Sequence, residues 1–199
     1  MPKNLLPLIL RAALGFLIGL AIWGGLSIPY TRLLGFLTQA ALRVVEAPAV
    51  THLTPNGTML VVERSDVRTP RSSGNYAIET TDLTFNLIVL VTLFAVSSRP
   101  FSDRNMFGLG AAALGLVVVH VAAVMSFVEA YYALSFGAWS IAHYGSLSRR
   151  FWGAAPYFYS IVGVYGSAVA LWWPLRPSAM MESNSGADPR KRGTTRRRR

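Results

Sequence analysis

Residues 106–132 read MFGLGAAALGLVVVHVAAVMSFVEAYY, the longest apolar run in the chain. Its first 23 residues, 106–128, carry no formal charge, and a helix needs about 20 residues to cross the hydrocarbon core of a bilayer. The stretch therefore predicts a membrane-spanning helix. Ionisable groups are costly at such depth and are often functional, so His120 and Glu129 are the first candidates for chemistry.

The composition of the whole chain also indicates a membrane protein. Its 199 residues are 52% hydrophobic and only 14% charged, against about 25% charged residues in ordinary soluble domains. The surplus apolar surface is expected to face lipid. The chain contains no cysteine, which excludes disulfides, thiolate metal sites and cysteine nucleophiles.

Three further apolar stretches predict spanning helices. Residues 1–28 form the first span, because their apolar part is longer than a secretory signal core. Residues 83–98 form a short second span and residues 153–175 a fourth, so that 83–175 is a three-helix transmembrane region. The expected fold class is an all-α integral membrane protein with four transmembrane helices.

The segment 29–47 begins at a proline and is apolar except for one narrow polar stripe. The stripe consists of Arg32, Gln39 and Arg43, which fall on one side of a helical wheel. The pattern predicts an amphipathic helix at the membrane interface, an extension of the first span beyond a kink at Pro29, or a helix packed on neighbouring spans.

Residues 48–82 are the only sizeable polar stretch before the C-terminal tail. Apolar and β-branched runs at 58–63 and 75–80 flank the sequence SDVRTPRSSG, which is rich in turn-forming residues. This arrangement predicts a small extracytoplasmic β element, either a β-hairpin or a small sheet.

The basic residues predict the orientation. Four spans place both termini on one side, together with Arg99, Arg104 and the basic tail, 176–199. By the positive-inside rule, the chain is expected to be a multi-pass protein of a bacterial-type inner (plasma) membrane with both termini in the cytoplasm.

The tail is expected to be disordered and to contact anionic lipid headgroups or a partner. Because no aromatic residue interleaves with its basic residues, nucleic acid is the weaker candidate. The basic residues are Arg190, Lys191, Arg192, Arg196, Arg197, Arg198 and Arg199.

Small residues recur in the predicted spans and indicate close helix packing against other integral membrane proteins. Such residues let two backbones approach where larger side chains would hold them apart. They are Gly15, Gly19, Gly108, Ala111, Ala112, Gly115, Gly163 and Ser167.

His120 lies near the middle of its span and admits several interpretations. It could ligate a haem iron or the magnesium of a pigment, relay protons, or hydrogen-bond to a neighbouring helix. A haem held by two histidines needs a second histidine at similar depth, whereas His52 and His143 fall in extramembrane or interfacial segments. No cofactor is therefore specified by the sequence.

Glu129 lies nine residues after His120 and points to the opposite face of the same helix. Near the outer interface, an ion pair with Arg149 or Arg150 is the expected arrangement. The chain contains no Gly-x-Ser-x-Gly, phosphate-binding glycine loop, HExxH or acidic metal cluster. The sequence thus predicts no complete catalytic constellation.

The order of the segments resembles the exosortase and archaeosortase family, integral membrane transpeptidase-like proteins that process sorting-signal tails. The resemblance covers residues 30–175 in layout. It rests on a first span, an extended outer segment, a helix opening at TTDLTFNLIVLVTLFAVSSRPFSDR and a long glycine-rich span.

The resemblance implies a cysteine nucleophile where that helix opens, and an arginine and a histidine at the outer ends of later spans. Here the opening reads Thr84, Phe85 and Asn86, and the later positions fall near Glu129 and at His143. Because the thiolate is the nucleophile in such chemistry, its loss implies a member without the cysteine-based activity.

Two functional hypotheses follow. The first is a non-enzymatic structural or accessory subunit of a larger membrane protein complex, which could be a cofactor-bearing, energy-transducing one with His120 as the residue of interest. The second is an exosortase-like protein that handles a sorting tail at the outer face near Thr84, Asn86, Glu129 and His143. A transporter is disfavoured, because the spans lack broken, charged half-helices.

Overall fold

The computed structural model describes residues 5–46, 50–65, 76–97 and 99–176. In chain order the elements are α1 (Leu5–Val45), β1 (Thr51–Asn56), β2 (Met59–Arg64), β3 (Tyr76–Glu79), α2 (Thr80–Thr84), α3 (Asn86–Ala95), α4 (Asp103–Ser135), α5 (Ala138–His143), α6 (Ser146–Phe158), a π-helical segment (Tyr159–Gly163) and α7 (Val164–Leu175). The last three elements follow one another without a break.

Within this described part of the chain, three helical segments are long and apolar enough to cross a membrane. They are Leu5–Val45, Asp103–Ser135 and Ser146–Leu175, whereas the apolar segment Thr80–Ala95 is shorter. The predicted membrane character is thus supported with three, not four, helices of spanning length. In its most apolar window α4 has 39% of its residues buried, against 11% in α1, so α4 is the more central helix.

The first helix continues through Pro29, so the boundary expected between residues 28 and 29 is not a break in the structure. Proline removes one backbone donor from a helix, and the hydroxyl of Thr31 donates to the carbonyl of Ser27 (2.9 Å) beside it. Gln39 accepts a hydrogen bond from the backbone N–H of Leu53 (3.4 Å). The second half of α1 therefore packs against the sheet.

The β element is a three-stranded antiparallel sheet in the order β1-β2-β3, so that of the two predicted forms the small sheet is present and not the single hairpin. The expected pairing of β2 with β3 is present, with Met59 opposite Glu79. The sequence reading missed β1, whose polar THLTPN sequence contains Pro55, a residue typical of edge strands. Gly57, with φ +62°, opens the two-residue turn between β1 and β2, as a type II′ turn requires.

Two apolar cores hold the helices together. The larger core lies at the sheet end, the end of the helix bundle that carries the sheet, and the smaller lies towards the opposite end. The larger contains Leu34, Leu42, Leu53, Leu60, Val62, Ile78, Leu83, Ala123, Val124, Val128, Tyr132, Tyr159 and Val164. The smaller contains Leu90, Phe94, Ala112, Leu116 and Ala168.

The small residues expected to face other proteins instead bring helices of this chain together. A Cβ at Gly15 would lie 2.5 Å from the Cβ of Ala95, and one at Gly19 would lie 3.1 Å from the Cα of Ile88. Both glycines therefore allow α1 to approach α3 closely.

The same use of small residues continues on α4 and α7. Gly108 approaches the carbonyl of Leu175, and Gly115 approaches the side chain of Leu171. The remaining positions also contact the chain itself. On α4, Ala111 is half-buried and Ala112 is fully buried. Gly163 lies against the ring of Tyr159, and Ser167 accepts a hydrogen bond from Asn86.

Candidate functional site

His120 lies at the centre of a hydrogen-bonded network inside the bundle and is 1% exposed. Its Nε2 is 2.8 Å from Oδ1 of Asn86, and its Nδ1 is 2.6 Å from the hydroxyl of Tyr30. The Nδ2 of Asn86 donates to the hydroxyl of Ser167 (3.0 Å), which leaves Oδ1 as the acceptor facing the histidine. Therefore Nε2 carries the proton and Nδ1 accepts from Tyr30.

The network continues through Tyr159, in the π-helical segment. Its hydroxyl donates to the carbonyl of Leu83 (2.9 Å) and lies 3.5 Å from Nδ2 of Asn86. Close by, the indole N–H of Trp23 donates to the hydroxyl of Thr84 (3.2 Å). These bonds connect α1, α2, α3, α4, the π-helical segment and α7. Their common effect is to fix the relative positions of these elements inside an apolar environment, where unpaired polar groups are costly.

The geometry at His120 does not fit a haem or pigment ligand. A metal-ligating histidine coordinates through one ring nitrogen and hydrogen-bonds through the other. Here both ring nitrogens are taken by Tyr30 and Asn86, and the Tyr30 ring meets the imidazole edge to face at 5.7 Å between centroids. Within residues 5–176, outside the gaps noted above, no group of three or more metal-ligating side chains gathers.

A second polar cluster lies at the sheet end and surrounds Glu129. The hydroxyl of Tyr144 donates to a carboxylate oxygen of Glu129 (2.7 Å). The guanidinium of Arg64, from β2, lies over the rings of Tyr132 (4.7 Å) and Trp139 (4.3 Å). Burial, followed by the hydrogen bond to Glu129, raises the pKa of the Tyr144 hydroxyl above its usual value. The phenol thus stays protonated and holds the carboxylate in place.

The expected ion pair of Glu129 with Arg149 or Arg150 is not formed. The structure supplies Tyr144 as the hydrogen-bond donor and places Arg64 near enough to act on Glu129 electrostatically. The physical reason is tertiary: β2 folds back over the end of α4 and delivers a cation from a distant part of the chain.

Glu46 is a further member of the sheet-end cluster that the sequence reading did not single out. Its carboxylate accepts from the backbone N–H of Thr51 (3.1 Å) and from the Thr51 hydroxyl. Since that hydroxyl donates to Glu46, it must accept from the phenol of Tyr132 (2.8 Å). The end of α1, the start of β1 and the end of α4 are therefore linked. The sequence did carry a signal for Glu46, because an acidic residue directly after a long apolar helix is a candidate for a polar contact at the helix end.

The four residues considered for an exosortase-like site are not brought together. Thr84 and Asn86 bond inside the bundle, and Glu129 bonds to Tyr144 at the sheet end. His143 is exposed on α5, where its ring stacks on Trp139 at 4.2 Å between centroids. None of the four hydrogen-bonds to another, so this geometry adds no support to the exosortase-like site, which stays a prediction.

An open apolar groove of about 520 Å³ lies between α4 and α6. Over its 13 residues, α6 has no buried side chain, although it packs along α4. Small side chains form much of the groove, and Phe151 and Phe158 of α6 are 61% and 66% exposed. The lining is Val119, Ala122, Ala123, Ser126, Phe151, Ala154, Ala155, Phe158 and Tyr159. The described residues of the chain leave this surface uncovered.

No family model, curated protein or solved structure matches this chain. The resemblance to the exosortase and archaeosortase family therefore stays a prediction. Functional inference rests on the two polar clusters and on the uncovered groove.

Proposed function

We propose that this protein is a non-enzymatic structural or accessory subunit of a larger membrane protein complex. In this proposal the chain crosses a bacterial-type inner membrane four times. Both termini lie in the cytoplasm, and the three-stranded sheet lies outside. The α4–α6 groove, lined by the nine residues named above, is the surface that receives the partner.

The segment formed by α2 and α3 runs antiparallel to α1, which supports four crossings. Along α1, Gly15 faces the end of α3 at Ala95, whereas Trp23 bonds to Thr84 near the start. The two segments therefore run in opposite directions. At 1.5 Å per residue, Thr80–Ala95 is about 24 Å long, short of the roughly 30 Å hydrocarbon core. A helix enclosed by α1, α4 and α7 can cross with local thinning of the bilayer.

Charge supports the proposed orientation. The positive-inside rule counts basic residues close to the ends of spans. Arg99 and Arg176 lie at the end of the bundle opposite the sheet, and the seven basic residues after Pro189 follow Arg176 in the sequence. This concentration of basic residues favours a cytoplasmic location for the end of the bundle opposite the sheet.

The uncovered α4–α6 groove is the observation that carries the subunit proposal. Transmembrane helices associate where small residues allow close backbone approach, because lipid gives them no hydrophobic reason to do so. Unlike Gly15 and Gly19, which are used inside the bundle, Ala122 and Ala154 remain exposed in the groove. A partner helix seated there would gain van der Waals contact with both α4 and α6.

The interior of the bundle favours a structural over a catalytic role. Both ring nitrogens of His120 and the amide of Asn86 are used in holding helices together. A general base or nucleophile must reach a substrate atom, whereas these groups are buried and already bonded. If the complex bears a haem or pigment, this proposal therefore places that cofactor in the partner protein.

Site-specific photocrosslinking tests the proposal. A photoreactive amino acid is placed at Ala122 or Ala154 in the groove, and at Leu17, an exposed position on α1, as the matched control. After irradiation of native membranes, we expect a discrete adduct with a different protein from both groove positions and none from Leu17. Groove positions that behave like the control, or that link only to a second copy of this chain, would contradict the accessory-subunit proposal.

A further inference from the structure

A second apolar cleft, of about 350 Å³, opens near the end of the bundle opposite the sheet. One wall is α1, through Leu14 and Ile18, and the other is α4, through Met106 and Leu109. Val91 and Phe94 of α3 also line it. The α1 and α4 sides remain open to the surroundings, since Leu14 is 55% and Met106 is 49% exposed.

A cation marks one end of this α1–α4 cleft. Arg11 lines it and is exposed, and one of its terminal nitrogens donates to the carbonyl of Ser97 (3.3 Å). Guanidinium carries five N–H donors, so this bond leaves most of them for another acceptor. Arg104 and Asp103, both exposed, share the first turn of α4 and offset each other in charge, so Arg11 is the cation on which the site depends.

The length of the cleft matches one bilayer leaflet. Its lining on α1 runs from Arg11 to Ile22, which at 1.5 Å per residue spans about 18 Å. Half of the roughly 30 Å hydrocarbon core is about 15 Å. An acyl chain that enters the cleft with its headgroup at Arg11 would therefore reach the middle of the bilayer.

A buried acceptor lies close to the same end. Asn105 lines the cleft and is 1% exposed. Its Nδ2 donates to the carbonyls of Phe94 (3.2 Å) and Pro100 (2.8 Å), while its Oδ1 has no hydrogen-bond partner in the described parts of the chain. A buried carbonyl oxygen without a donor is unfavourable. A ligand hydroxyl at this end of the cleft would supply the missing donor once a small movement of the covering side chains exposed the oxygen.

We infer that the α1–α4 cleft binds one anionic phospholipid whose headgroup carries hydroxyl groups, of the phosphatidylglycerol type. One acyl chain lies between α1 and α4, the phosphate accepts from Arg11, and a headgroup hydroxyl donates to Asn105. The cleft shares no lining residue with the α4–α6 groove, and the inference does not depend on the proposed subunit function.

Native mass spectrometry of the full chain in mild detergent tests the inference, with phosphatidylglycerol or phosphatidylcholine as the added lipid. Two variants address the site: Arg11→Gln removes the cation, and Ile18→Trp fills the cleft. Two matched controls on the same helix are Arg32→Gln, an exposed arginine near the sheet end, and Leu17→Trp, an exposed residue outside the cleft lining.

We expect about one phosphatidylglycerol to be retained per chain, with weaker retention of phosphatidylcholine. Arg11→Gln should weaken retention about fivefold, since a basic residue near a lipid surface contributes about that factor. Ile18→Trp should abolish it, while both controls retain the lipid. Equal retention of the two lipids, or equal behaviour of the site and control variants, would overturn the inference.

Discussion

At the residue scale, the position of His120 in the sequence marks it as unusual, but its partners define its role. The imidazole donates to Asn86 and accepts from Tyr30, residues that lie 34 and 90 positions away in the chain. A histidine whose two nitrogens are both satisfied by the protein links helices rather than binding a ligand. The same reasoning applies to Glu129, which is held by Tyr144 instead of by the arginines nearest in the expected topology.

The hydroxyl of Tyr30 provides a direct test of the network at this scale. Tyr30→Phe keeps the ring but removes the donor to Nδ1 of His120, and leaves a buried acceptor unpaired. Hydrogen bonds between membrane helices contribute about 0.6 kcal/mol on average and up to about 1.7 kcal/mol. We expect a loss of free energy of unfolding at the upper part of that range, measured by denaturant titration in mild detergent.

Tyr165→Phe is the matched control for Tyr30→Phe, because Tyr165 is 56% exposed on α7. It should leave the free energy of unfolding unchanged within error. If the two variants were equally stable, the Tyr30–His120 bond would not contribute to stability, and the structural role assigned to His120 would be wrong.

At the element scale, the two halves of α1 show how one helix serves two environments. Gly15 and Gly19 face α3 and are buried, whereas Gly24 and Gly25 have no atom within 4 Å of an added Cβ. Later in the same helix, Thr31 and Thr38 are fully buried, and Leu34 joins the core at the sheet end. The helix thus changes its packing partner along its length without ending at Pro29.

Identical substitutions at two glycines of α1 should change stability in opposite directions. Gly15→Ala puts a methyl group 2.5 Å from the Cβ of Ala95, and overpacking of this kind costs about 1–3 kcal/mol. Gly24→Ala meets open space and should gain roughly 0.5–1 kcal/mol, because alanine is the better helix former. The measurement is the free energy of unfolding in detergent. Equal effects at the two positions would refute the close α1–α3 contact.

At the scale of the whole molecule, the four-crossing proposal predicts which loops share a side of the membrane. The absence of cysteine allows single cysteines to be introduced without background labelling. Asn56→Cys reports on the sheet, Phe101→Cys on the connection between α3 and α4, and His143→Cys on α5. All three positions are exposed.

A membrane-impermeant maleimide applied to intact cells should label the cysteines at positions 56 and 143 but not the one at 101. All three should react once the membrane is permeabilised, which controls for intrinsic reactivity. Labelling of position 101 together with position 56 in intact cells would show that α2 and α3 do not cross. The proposed topology would then fail, although the packing inside the bundle could remain as described.

The amino-acid sequence by itself determined the membrane character of this protein, the long apolar helices and the presence of a small β element. These follow from local composition, because the cost of exposing an apolar run to water, or a charge to lipid, is a property of the segment alone. Thus 106–128 identified α4, and the runs at 58–63 and 75–80 identified β2 and β3.

Only the tertiary structure decided which residues meet. The sequence could not show that Gly15 would pack inside the chain, that Arg64 would lie over Tyr132, or that Asn86 and Tyr30 would take both nitrogens of His120. It also missed β1, since a polar strand containing Pro55 is stabilised mainly by pairing with β2. Each of these outcomes depends on contacts between distant parts of the chain, and a contact energy exists only after the fold has brought both partners together.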